Sequence, residues 1–148
     1  MKRAFFVTFM SIMFALVAVA CQSEEKEIGY TELPAAAQQF VAKHFASASY
    51  LRVEKEKEHG VWEYEVMLSD GTQIDFNNKG EWKSVDCKFS VLPVGIIPSA
   101  IEEDITKRYP KAVPYAVEKK IGGYEVDIPG FDLYYTLNGM FVRAEIDR

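Results

Sequence analysis

Leu33–Phe45 reads LPAAAQQFVAKHF, and Ile97–Tyr109 reads IPSAIEEDITKRY. Aligned at an offset of 64, both open on an apolar residue and a proline and then repeat apolar side chains at helical spacing. Leu33, Ala37, Phe40, Val41, His44 and Phe45 would cover one face of the first helix; Ile97, Ile101, Ile105 and Tyr109 would cover one face of the second. Proline suits the first helical position, where its missing N–H leaves no bond unmade. Glu102 and Glu103 in the first turn of the second helix, with Lys107 and Arg108 in its last, match the helix dipole, and Pro110 ends it.

The likeness continues downstream. Tyr64-Glu65-Val66 matches Tyr124-Glu125-Val126, and Gly80 with Trp82 matches Gly139 with Phe141, so the offset drifts only by small deletions in turns. Two copies at this period are an internal duplication rather than a solenoid. After each helix the apolar period becomes two. Trp62, Tyr64, Val66 and Leu68 alternate with Glu63, Glu65 and Met67, and Ile74 and Phe76 continue the inward phase. Asp70-Gly71, Gly122-Gly123 and Asn138-Gly139 mark tight hairpins. Each copy is therefore expected to be a helix followed by a four-stranded antiparallel sheet, an α+β tandem duplication with its helices packed on one face. The expected divisions are 1–20, 21–32, 33–89, an apolar connector at 90–96, and 97–148.

The N-terminus carries targeting information. Lys2 and Arg3 precede an apolar run from Ala4 to Ala20, and Ala18-Val19-Ala20 sits before Cys21, as in a secretory signal peptide. V-A-V-A-C is similar to a lipobox with Ala18 where leucine is usual. Cys21 is the expected lipidation site, anchoring the chain in the cell envelope, with soluble secretion as the alternative. QSEEKE then reads as a polar tether. Its C-Q-S-E-E start also resembles the acidic export signal of surface-exposed Bacteroidetes lipoproteins, while an acidic linker accounts for it as well.

Composition narrows the function. The 148 residues are 49% apolar and 26% charged with a net charge of −5, a globular balance without the basic stripe that a nucleic-acid groove needs. If lipidation uses Cys21, only Cys87 remains, so no internal disulfide is available, and its place on the apolar phase reads as a buried hydrophobe. His44 and His59 lie in no catalytic or metal-ligand pattern, and no nucleophile, base and oxyanion donors are grouped. No catalytic residue, metal or cofactor is therefore assigned.

The helix opening L-P with F-x-x-x-x-F, followed by Y-E-V-x-L-x-D-G-T-x-I-x-F-x-x-x-G-E-W, resembles the PepSY-like domain. That domain is grouped with β-lactamase-inhibitor-like proteins and is common in secreted Bacteroidetes lipoproteins. The resemblance spans about residues 33 to 148. It implies an α+β unit with a curved sheet and an extracytoplasmic binding or inhibitory role. In the second copy Pro129-Gly130-Phe131-Asp132 replaces the S-D-G-T turn, and no residue matches a known inhibitory loop, so inhibition of a β-lactamase is not carried over.

The outward phase of the strands supplies the candidate site. Trp82, Phe141, Tyr134, Met67, Glu65 and Arg143 fall on it, and aromatics ringed by charge are a usual feature of protein-binding surfaces. Cross-strand pairing for stability alone is the competing account of the aromatics. The expectation is a non-catalytic envelope lipoprotein that binds a protein or peptide partner through this face. The alternative is a periplasmic small-ligand carrier or sensor with a pocket between sheet and helices.

Overall fold

The computed structural model describes residues 24–147; Cys21 and the apolar run before it lie outside the described residues. Among the described residues the chain forms nine strands and two α-helices, with a short 3-10 turn at Tyr30–Glu32. The order is β1 (Glu24–Glu27), α1 (Ala35–His44), β2 (Tyr50–Glu58), β3 (Val61–Leu68), β4 (Gln73–Phe76), β5 (Trp82–Asp86), α2 (Ser99–Arg108), β6 (Ala116–Lys120), β7 (Gly123–Ile128), β8 (Phe131–Thr136) and β9 (Phe141–Ile146).

The expectation of a four-stranded sheet beside each helix is overturned. The strands form one nine-stranded sheet in chain order, β1 to β9, with every neighbouring pair antiparallel. Two features extend it. β5 pairs with β6 through Ser84↔Glu118, Val85↔Val117 and Asp86↔Ala116, so the sheet does not stop after the first four strands of the expected repeat. β1, in the stretch expected to be a tether, pairs with β2 from Glu24↔Lys57 to Glu27↔Glu54. Each helix therefore lies in the connection between two adjacent antiparallel strands, β1–α1–β2 and β5–α2–β6.

Both helices begin just inside the quoted stretches, with Pro34 and Pro98 as their N-cap residues. Their buried faces, Ala37 and Val41 on α1 and Ile101 and Ile105 on α2, meet the same side of the sheet. One cross-strand row supplies most of that side: Val53, Val66, Ile74, Val85, Val117, Val126 and Leu133 stand opposite one another in register, each no more than 2% exposed. At about 25 cal/mol per Å² of apolar surface, this shared core is the main stabilising contribution.

The turn glycines fix how the sheet meets the helices. Gly80 and Gly139 have φ of +80° and +78°, a conformation glycine adopts without penalty. A Cβ on Gly80 would lie 2.8 Å from both Ala37 N and Pro34 Cβ, and one on Gly139 would lie 2.9 Å from Ala100 Cβ. The turns before β5 and β9 thus abut the first turns of α1 and α2, and an added methyl group would push them apart. The connector packs Leu92 and Ile96 into the core, and Cys87 is buried as expected at 1% exposure.

Candidate functional site

The face away from the helices carries two rows of polar side chains, and among the described residues no helix covers it. In register across all nine strands, the first row runs Glu27↔Glu54↔Glu65↔Asp75↔Ser84↔Glu118↔Glu125↔Tyr134↔Arg143. Each member from Glu54 to Tyr134 is the chain neighbour of a residue in the buried valine-rich row, so strict alternation puts carboxylates behind the core. The second row runs Arg52↔Met67↔Gln73↔Asp86↔Ala116↔Asp127↔Asp132↔Glu145.

Like charges directly opposite one another destabilise a sheet, and the local chemistry answers this only in part. Arg52 reaches Glu54 at 3.3 Å and Glu65 at 3.7 Å, Lys83 lies 2.5 Å from Glu63, and Lys120 bridges Glu118 and Glu125 at 2.5 and 3.2 Å. Gln73 donates from Nε2 to Glu65 at 2.8 Å, and the Ser84 hydroxyl donates to Asp75. Burial among these side chains still raises the carboxyl pKa of Glu65, with Asp75 adding to it. Burial likewise raises Asp75 against the opposing hydrogen bond from Ser84. Asp127 is pushed up to about 7, first by burial and then by Asp132, Glu125, Asp86 and Asp147. The face holds anionic charge in excess of its cations, in a setting that disfavours that charge.

Of the six residues expected on this face, Glu65, Met67, Tyr134 and Arg143 are there. Trp82 and Phe141 are not. The β4–β5 register shifts between Asp75 and Phe76: Asp75 stands opposite Ser84 but Phe76 opposite Trp82, passing over Lys83 of β5. β9 repeats it: Tyr134 stands opposite Arg143 but Tyr135 opposite Phe141, passing over Val142. An extra residue in one strand inverts the alternation beyond it. Trp82 therefore sits on the helix side, 6.2 Å from the Phe40 ring and 6.5 Å from Tyr124, with Lys119 Nζ 4.0 Å over its ring. Phe141 packs 5.7 Å from Tyr135 under the Arg108 guanidinium, 3.9 Å away. Both are half-buried and packed against the core. The carboxylate row itself was missed because its members lie one per strand, and only the register brings them together.

No group of three or more His, Cys, Asp or Glu side chains placed to hold a metal ion occurs among the described residues. The His44 ring packs tilted against Phe40 at 4.8 Å, and burial pushes the Cys87 thiol up to about 11, so the thiol is not poised as a nucleophile at neutral pH. Two depressions among the described residues are open surface clefts. One, of about 370 Å³, is lined by residues including Lys120, Tyr124, Tyr134 and Arg143; the other, of about 340 Å³, lies along α2.

The sheet is thus covered by helices on one side and bears a charged face on the other. The chain belongs to the PepSY-like family, described as "Putative beta-lactamase-inhibitor-like, PepSY-like", whose model matches residues 19–61 and 62–143. Among solved structures it is similar to a "putative calcium-regulated periplasmic protein" of Bacteroides thetaiotaomicron, with 33% identity, a TM-score of 0.79, and coverage of 82% of this chain and 96% of that one. It is also similar to a "putative periplasmic protein of unknown function" of Bacteroides vulgatus, with 29% identity, a TM-score of 0.79, and coverage of 82% and 99%. No curated protein matches the chain.

Proposed function

We propose that this chain is a non-catalytic periplasmic binding module whose carboxylate face receives a cationic protein or peptide segment. The observation that carries the reading is the row Glu54, Glu65 and Asp75, continued beyond Ser84 by Glu118 and Glu125, held in register on an uncovered sheet face. Lysine and arginine side chains laid along it would relieve the repulsion that the fold tolerates, so binding and stability are coupled. Two similar structures described as periplasmic support the location, and among the described residues no helix is long and apolar enough to cross a membrane. Lipidation of Cys21 would tether the module to the membrane, on its periplasmic side or at the cell surface, and an intact mass of the native protein reports it. A small-ligand carrier is less well supported, because buried side chains of α1, α2 and the sheet form one cluster and the two clefts lie elsewhere. The description "calcium-regulated" belongs to the relative; here a cation would act by screening the row, there being no gathered ligand set among the described residues.

The test is crosslinking capture from the native envelope with the full chain, beside a variant carrying Glu65→Gln, Asp75→Asn and Glu125→Gln. The expected partner presents a basic segment, and the variant binds it at least about tenfold more weakly at low salt, with the difference shrinking as screening rises. A partner held equally by both proteins would remove the carboxylate face from the reading.

A further inference from the structure

The two edges of the sheet differ in chemistry. β1 is Glu24-Glu25-Lys26-Glu27, exposed throughout, and such a charged short strand discourages further pairing. β9 presents Phe141-Val142-Arg143-Ala144-Glu145-Ile146 with no proline, and Val142 and Ile146 are 54% and 69% exposed. The Asp147 N–H donates to the Gly130 carbonyl at 3.1 Å, and Phe131↔Ile146 and Asp132↔Glu145 continue that register. Antiparallel alternation then turns the N–H and C=O of Glu145 toward β8 and those of Ala144 and Ile146 toward the free edge.

Around Ala144 the strand reads the same in both directions by chemistry: apolar, charged, alanine, oppositely charged, apolar. We propose that two copies of the chain pair antiparallel through β9 about a two-fold axis at Ala144, merging their sheets. In that register Arg143 stands opposite Glu145 of the second copy, twice over. Arg143 Nε already lies 2.8 Å from Glu145 Oε1 within one strand, so pairing builds a closed ring of alternating charges on the carboxylate face. Alanine opposes alanine at the axis, and exposed Val142 comes within reach of Ile146 of the second copy. Centring the pair on Arg143 or on Glu145 instead would set like charges face to face, which fixes the register. A two-fold contact closes on itself and leaves only the charged β1 edges outward. A single strand pair buries little area, as weak, concentration-dependent associations do.

The experiment is sedimentation velocity on the full chain in mild detergent at about 100 µM, a concentration chosen for an interface of that size. The unaltered chain should dimerise, while Arg143→Glu alone and Glu145→Arg alone should each weaken the dimer at least tenfold. An equimolar mixture of the two variants should recover it, because the acidic positions of one then face the basic positions of the other on both sides of the axis. The doubly exchanged variant, Arg143→Glu with Glu145→Arg, should dimerise by itself, which separates lost pairing from a failure to fold. A monomeric unaltered chain, single variants that dimerise undiminished, or a mixture and a double variant that both stay monomeric would each overturn the proposal. The first of these outcomes leaves the β9 edge to a strand of another protein.

Discussion

Asp127 shows what the carboxylate face does to a single group. Its folded-state pKa, about 7, lies above the unfolded value of about 3.9, so folding favours the protonated form. Stability from this group is therefore fully present below the unfolded pKa and is lost as pH rises through about 7. Asp127→Asn removes the charge and keeps the shape. It should stabilise the protein by about 1–2 kcal/mol at pH 8, a gain limited by partial solvation, and by little at pH 4. Urea melts of the two proteins at both pH values check this; equal shifts at the two would refute the electrostatic origin. Of the charges that raise it, Glu125 lies two residues away in the sequence, but burial and the remaining carboxylates come from the fold. Asp132 faces it through the β7–β8 pairing, and Asp86 comes near it, across Ala116, through the β5–β6 and β6–β7 pairings.

At the scale of elements, the two strand irregularities decide which side chains support the core. Because Trp82 contacts Phe40 and Phe141 contacts Tyr135, Trp82→Ala and Phe141→Ala should each destabilise by about 2–4 kcal/mol, as large-to-small changes at packed aromatics do. Denaturant melts decide it: a loss below about 0.5 kcal/mol, the range of surface positions, would mean these rings are not part of the core. Alternation alone places Val66, Leu68, Ile74 and Phe76 inward, and all four are buried. It failed for Trp82 and Phe141 because an extra residue in a strand leaves no mark in the apolar pattern. Ile146 is two residues from Ala144, which faces buried Leu133, yet on the edge strand it is exposed. β1 escaped notice because Glu24-Glu25-Lys26-Glu27 has no apolar alternation; it is a strand only because β2 offers it an edge.

The whole molecule is larger in its connectivity than either expected repeat. The sequence likeness of Leu33–Phe45 to Ile97–Tyr109 located both helices, but it carries no information on whether β5 ends a sheet or continues it. That choice depends on Val85 meeting Val117 across the join, a contact between residues in separate copies of the expected repeat. The strand order has a kinetic consequence. Since each strand pairs only with those before and after it in the chain, no pairing waits for a segment beyond the next connection, and loop closure is longest at the two connections that carry α1 and α2. Strands can add in the order in which the chain emerges from a ribosome or a pore, each new strand pairing onto an edge already formed. Stopped-flow refolding should accordingly be complete within milliseconds to tens of milliseconds, at the fast end for a β-rich protein, and a dominant phase of seconds would show that the edge does not grow strand by strand.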